Sequence, residues 1–256
     1  MIKSSLCIVF ATVLLLGCAT SSSRPDGPKS AARGVAEVNA SLGQEYMSRG
    51  QLEIALDKLK KAVTADPTYA PAQTLLAVLY ERIDDSEAAE RHYRLAVEAA
   101  PKNGDVNNNY GVYLCHSRKA GEADPYFQAA VKDPFYRTPE VAYANAGSCW
   151  LQVGNLDKAE RYLRQSLEYD AEFSDALLSM ADISARRGDF LRARAFLQRY
   201  ESTGSESAQS LLLAFRIESE LGNGVTASAY RERLLSKFSN SEQARELRES
   251  GMPDHN

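Results

Sequence analysis

Hydrophobic and polar positions along this chain are set out in a recurring word: GQLEIALDKLKKA at 50, GNLDKAERYLRQS at 154 and GDFLRARAFLQRY at 188. Each has Gly, a polar turn-forming residue, Ala five positions after the Gly and an apolar or aromatic residue four further on. Tested for a fixed period, the pattern answers at 34 residues. Small residues then share one slot (Gly43, Ala77, Gly111, Gly147, Ala181) and alanines another (Ala55, Ala89, Ala123, Ala159, Ala193). A third slot holds Leu59, Tyr93, Phe127, Leu163 and Leu197, and a fourth Ala62, Ala96, Ala130, Ser166 and Tyr200. Pro67 and Pro101 close the first two units, where proline ends a helix and turns the chain into the next.

Small residues at facing slots let two helices approach closely, and the larger apolar residue fills the gap beside them. These slots resemble those of tetratricopeptide repeats, so the expected fold is all-α, a superhelical solenoid of antiparallel helix pairs. The repeats read as 36–69, 70–103, 104–137, 140–173 and 174–207, with a degenerate sixth over 208–241, a capping helix near Ser241 to Ser250 and a tail over 251–256. Repeat three has DPFYRTPE in place of the closing proline and two extra residues, which predicts Pro139 in the first turn of the next A helix. No strand-period segment and no Gly-rich phosphate loop interrupts the pattern.

The N-terminus differs. Lys3, the apolar run Leu6 to Leu16 and the small Gly17 follow the layout of a secretory signal, too short to span a bilayer as a stable helix. Leu15, Leu16, Gly17 and Cys18 resemble the lipobox of bacterial lipoproteins. The resemblance implies cleavage of residues 1–17 and acyl chains on Cys18, which hold a protein firmly on a membrane. Ala19 in place of aspartate implies passage to the outer membrane. Residues 18–35, rich in Ser, Ala, Pro and Gly, are expected to form a flexible tether. Loss of residues 1–17 moves the formal charge from −4 to −5, which argues against nucleic acid as a partner.

Catalytic, metal and cofactor signatures are not evident, and no small-molecule substrate is expected. His92, His116 and His255 lie far apart and form no two-histidine metal motif. His92 is expected on a solvated helix face. Cys115 beside His116 hints at a nucleophile with a base, but neighbours on a helix point about 100° apart. Cys115 and Cys149, on the A helices of adjacent repeats in an oxidising compartment, are a disulfide candidate; two buried thiols packing as small apolar residues is the other reading. Asn109 and Asn145 share a slot used by repeats that clamp a terminal carboxylate, yet Asp105 and Val141 stand where the bases belong. Hydrogen bonds between neighbouring A helices are the expected use.

A helices line the concave face of such a solenoid, where partner segments lie. On the repeat frame that face includes Ala40, Gln44 and Met47, then Thr74, Val78 and Glu81, then Asn108 and Val112. Its mixture of apolar and polar groups suits a protein segment with apolar anchors.

Lipobox, short linker and about six repeats together resemble the type IV pilus biogenesis and stability lipoproteins, the PilF/PilW pilotin family. NNNYGVYLC at 107, DPFYRTPEVAYANAGSCW at 133 and SLLLAFRIE at 210 carry the resemblance beyond the generic slots. It implies a lipid-anchored protein on the periplasmic face of the outer membrane that helps the pilus secretin reach that membrane and multimerise. The alternative is a scaffold lipoprotein for another envelope complex, such as a peptidoglycan hydrolase adaptor.

Overall fold

The 34-residue slots bring helices together in pairs, and the computed structural model, which describes residues 28–249, contains six of them. They are α1 (Pro28–Ser48) with α2 (Leu52–Ala65), α3 (Ala70–Arg82) with α4 (Ser86–Ala99), and α5 (Gly104–His116) with α6 (Ala120–Val131). Next come α7 (Pro139–Gln152) with α8 (Leu156–Tyr169), α9 (Ser174–Arg186) with α10 (Phe190–Ser202), and α11 (Ala208–Glu220) with α12 (Gly224–Lys237). Helix α13 (Glu242–Glu249) closes the end. Residues 1–17, Cys18 and the tail 251–256 lie outside the described residues, and so does Ser250 at the end of the capping segment.

Each odd-numbered helix up to α11 packs on its own partner and on the next odd-numbered helix, and helices far apart in sequence do not meet. Among the described residues there is no strand, and the result is the all-α solenoid of antiparallel pairs. The slots explain the packing. A Cβ on Gly43 would stand 2.5 Å from Leu59 Cγ, and one on Gly111 2.8 Å from Phe127 Cε1. All five alanines of the second slot are 0 % exposed, and Leu59, Tyr93, Phe127, Leu163 and Leu197 are buried beside them. Each such large side chain contributes about 1.5–3 kcal/mol by leaving water. Ser166 takes the fourth slot without an orphaned hydroxyl, because its Oγ donates to the Glu140 carbonyl at 2.8 Å.

Polar residues fix the ends. Asn103, Asp85, Asn155 and Asp189 each accept a backbone N–H three residues on, capping α5, α4, α8 and α10. Gln73 donates to the Pro67 carbonyl at 2.8 Å, and Asn107, one period later, donates to Pro101 at 3.0 Å. The irregular junction is pinned by Asp133, whose carboxylate accepts from Gly104 N and Phe135 N, and Pro139 opens α7.

One boundary is corrected. Residues 28–35, expected as tether, are the first turns of α1. Proline suits a first helical residue, since its missing N–H is unpaired there in any case. Alanine and arginine, strong helix formers, follow it. Arg33 then bonds Asp66 at 2.6 Å and stacks over Tyr69, and Ala36 is fully buried.

Candidate functional site

Helix pairing leaves α1, α3, α5, α7, α9 and α11 side by side, and the turn joining each to its partner must reverse the chain in a few residues. A left-handed residue does this: Gly50, Gly154, Gly188 and Gly222 have φ between 73° and 79°. In repeats two and three the same position holds Asp84 at φ 60° and Arg118 at φ 57°. A side chain there costs about 1 kcal/mol or more, so Arg118 is kept against local preference.

Arg118 lines a groove of 600 Å³ built wholly on this helix face. Ser148, Leu151 and Gln152 come from α7, Asp175, Leu178, Ser179, Asp182 and Arg186 from α9, and Gln209 from α11. Asp182 pairs with Arg186 at 2.9 Å, whereas Arg118 makes no ion pair among the described residues. The wall therefore offers an uncommitted cation, amide and hydroxyl groups of both hydrogen-bonding senses, and two leucines. Such a surface suits an extended protein segment, whose peptide groups need donors and acceptors and whose side chains need apolar seats.

The residues singled out from sequence divide into two sets. Gln44 is exposed, and Val78, Glu81, Asn108 and Val112 are half-buried on the A-helix side. Ala40, Met47 and Thr74 are buried instead: Ala40 meets Ala62 and Ala72, and Met47 joins Leu59, Leu76 and Leu79. Ala40 and Met47 pack between helices because α2 and α3 cover that side of α1. Glu81 is engaged, accepting from the Tyr93 hydroxyl at 2.5 Å; burial, followed by this bond, raises the pKa of Tyr93. Asn145 donates to Asn108 at 3.0 Å, a link between α5 and α7.

Most of the groove lies one to two repeats further along than the residues named from sequence. The signal was present: the slot of Gln44, Val78 and Val112 continues through Ser148 and Asp182, and that of Ala40 and Thr74 reaches Leu178. Arg118 shares the turn slot of Gly50 and Asp84, and Gln209 lies one period after Asp175, but neither slot is among those expected to line the face.

Cys115 and Cys149 face each other across α5 and α7 with Cα atoms 5.4 Å apart, the ordinary spacing of a disulfide. His116 points away, its Nδ1 3.4 Å from Glu81. His92 is not solvated as expected: it is half-buried, stacked on Tyr80 and bonded to Gln73 at 2.7 Å, and burial lowers its pKa. Among the described residues no cluster of three or more His, Cys, Asp or Glu could hold a metal ion, and no helix is long and apolar enough to cross a membrane.

Comparison with known proteins agrees with this architecture. Residues 46–108 and 150–208 each match a tetratricopeptide repeat family. The type IV pilus assembly protein PilF of Pseudomonas aeruginosa is 29 % identical over 233 residues, covering 90 % of this chain and 91 % of PilF. A solved structure of P. aeruginosa PilF superimposes with a TM-score of 0.75 at 27 % identity, over 86 % of this chain and 99 % of that one. The crystal structure of PilW, described as a widely conserved type IV pilus biogenesis factor, gives 0.76 at 30 % identity, over 83 % of this chain and 98 % of PilW. Sharing its repeats and nearly the whole length of PilW, the chain belongs to the type IV pilus biogenesis family of tetratricopeptide-repeat proteins.

Proposed function

We propose that this protein is an outer-membrane lipoprotein pilotin that binds the type IV pilus secretin in its A-helix groove and promotes secretin localisation and multimer assembly. The observation that carries the reading is the groove of α7, α9 and α11, with Arg118 held at a strained turn beside it and no acid paired to it among the described residues. Acylation of Cys18 supplies the address. Nine residues separate Cys18 from Pro28, a span of about 35 Å at full extension, so the solenoid works close to the membrane. Lipoprotein sorting then carries whatever the groove holds. Several secretin chains kept near one membrane gain effective concentration, which favours a multimer without any covalent step. The protein acts by binding, not by catalysis.

The test is an immunoblot of separated inner and outer membranes, following secretin monomer and heat-resistant multimer with and without this gene. Loss or misplacement of the multimer is the expected result. An unchanged outer-membrane multimer overturns the pilotin reading.

A further inference from the structure

Repeats two and three carry two features that the A-helix groove does not use. The first is Phe135, 87 % exposed at the junction before α7. Its loop is held in place: Asp133 accepts from Phe135 N at 2.9 Å and from Gly104 N at 2.7 Å. Tyr136, the next residue, sits against Gly104 so closely that a Cβ there would come within 2.5 Å of it. Exposed Lys132 and Arg137 stand three residues before and two residues after it in the chain, and neither makes an ion pair among the described residues. A loop whose backbone is already held loses less freedom on binding, and an exposed aromatic on it can serve as an anchor once buried.

The second feature is a groove of 450 Å³ between the B helices α4 and α6, away from the A-helix groove. Tyr110 and Leu114 of α5 form its floor, with Val97 and Tyr126 beside them. Glu98 and Glu122 stand on its rim. Glu98 has no cationic partner among the described residues, and Glu122 has only Lys119 at 3.9 Å. Arg94, the cation at this groove, is already held by Glu90 at 2.5 Å and by the Tyr110 hydroxyl at 3.3 Å. An apolar floor with two uncommitted acids calls for an apolar side chain flanked by cations.

We propose that the occupant is a second copy of this chain, with Phe135 of each copy seated in the groove between α4 and α6 of the other. Lys132 and Arg137 then meet Glu98 and Glu122. Ring and groove lie on the same chain, the ring on repeat three and the groove between repeats two and three, so a two-fold axis makes the contact twice and the assembly closes as a dimer. The inference does not depend on which protein the A-helix groove binds. Confinement to a membrane surface raises the local concentration of the chain and favours the pairing.

The experiment places the photoreactive amino acid benzoylphenylalanine at position 135 of the full-length chain in cells and irradiates them. A cross-linked homodimer, with the link mapped to α4 or α6, is the expected product. The double change Glu98→Lys with Glu122→Lys should lower its yield about tenfold, equivalent to about 1.4 kcal/mol. Adding Lys132→Glu and Arg137→Glu to that chain should restore it, a rescue that a misfolded protein would not show. The control pair Glu220→Lys with Glu232→Lys, elsewhere on the surface, should leave the yield unchanged. Links only to other proteins, no link at all, or a charge swap without rescue overturns the proposal.

Discussion

Gly147 lies so close to Leu163 that a Cβ on the glycine would stand 2.6 Å from Leu163 Cγ and 3.2 Å from the Ala159 carbonyl oxygen. The contact joins α7 to α8, and the backbone oxygen cannot rotate away as a side chain can. Gly147→Ala is expected to cost about 1–3 kcal/mol by overpacking. Gly121→Ala in α6, where nothing lies within 4 Å, should stabilise by about 0.4–1 kcal/mol. Denaturant titration of both variants checks the pair, and equal effects would show that helix approach is not what Gly147 provides.

Cys115 and Cys149 are 34 residues apart, so a bond between them closes a loop whose loss should cost about 3–4 kcal/mol. Thiol labelling of the mature protein, unfolded without reductant, should leave both unmodified. Reductant should then lower the melting temperature, with no such response in the Cys115→Ser and Cys149→Ser double variant.

Arg118→Gly relieves the left-handed strain at the turn between α5 and α6 and should raise stability by about 0.5–1 kcal/mol. It also removes the uncommitted cation of the groove, so secretin capture should fall while the melting temperature rises. Arg118→Asn, neutral but tolerant of the same backbone, separates the two effects: capture should fall there as well.

Glu160 ties two repeats together. Burial alone would raise its pKa, but hydrogen bonds from Arg187 and Arg164 outweigh that and hold it at about 2, against about 4.5 for an ordinary glutamate. A lowered carboxylate pKa contributes stability that is complete above about 4.5 and is lost as pH falls towards about 2. Glu160→Gln should therefore cost about 1 kcal/mol at neutral pH, after solvent screening, and flatten the decline in stability across that window. Thermal melts between pH 7 and pH 2, made on both proteins, read the difference directly.

Anchor and groove should separate cleanly. Cys18→Ala is expected to leave folding intact and misplace the secretin. The double variant Asp175→Arg with Gln209→Arg, both exposed on the groove wall, should keep the lipid and lose secretin capture. Normal secretin multimer in both variants would sink the carrier mechanism.

Much of this protein is legible from its sequence because the solenoid is nearly one-dimensional. Each repeat must bury its own Ala and Leu slots between its paired helices, so the 34-residue period states which helices touch: Gly43 of α1 with Leu59 of α2, Gly147 of α7 with Leu163 of α8. Helix pairing and the opening of α7 at Pro139 follow from local register, whereas the two-residue insertion leaves the facing of Cys115 toward Cys149 to the tertiary structure. The lipobox reading of Cys18 rests on sequence alone.

Tertiary structure decided what register leaves open. Whether a residue on an A helix faces the groove or the next repeat depends on the angle at which repeats stack. That angle buries Met47 and leaves Ser148 and Leu178 accessible. The start of α1 at Pro28 likewise depends on Arg33 finding Asp66 one repeat-end away, a contact that composition does not reveal. Arg118 reaches the groove, and Phe135 faces solvent, because turns aim side chains by backbone dihedral angles and by hydrogen bonds to distant residues. A periodic pattern carries neither.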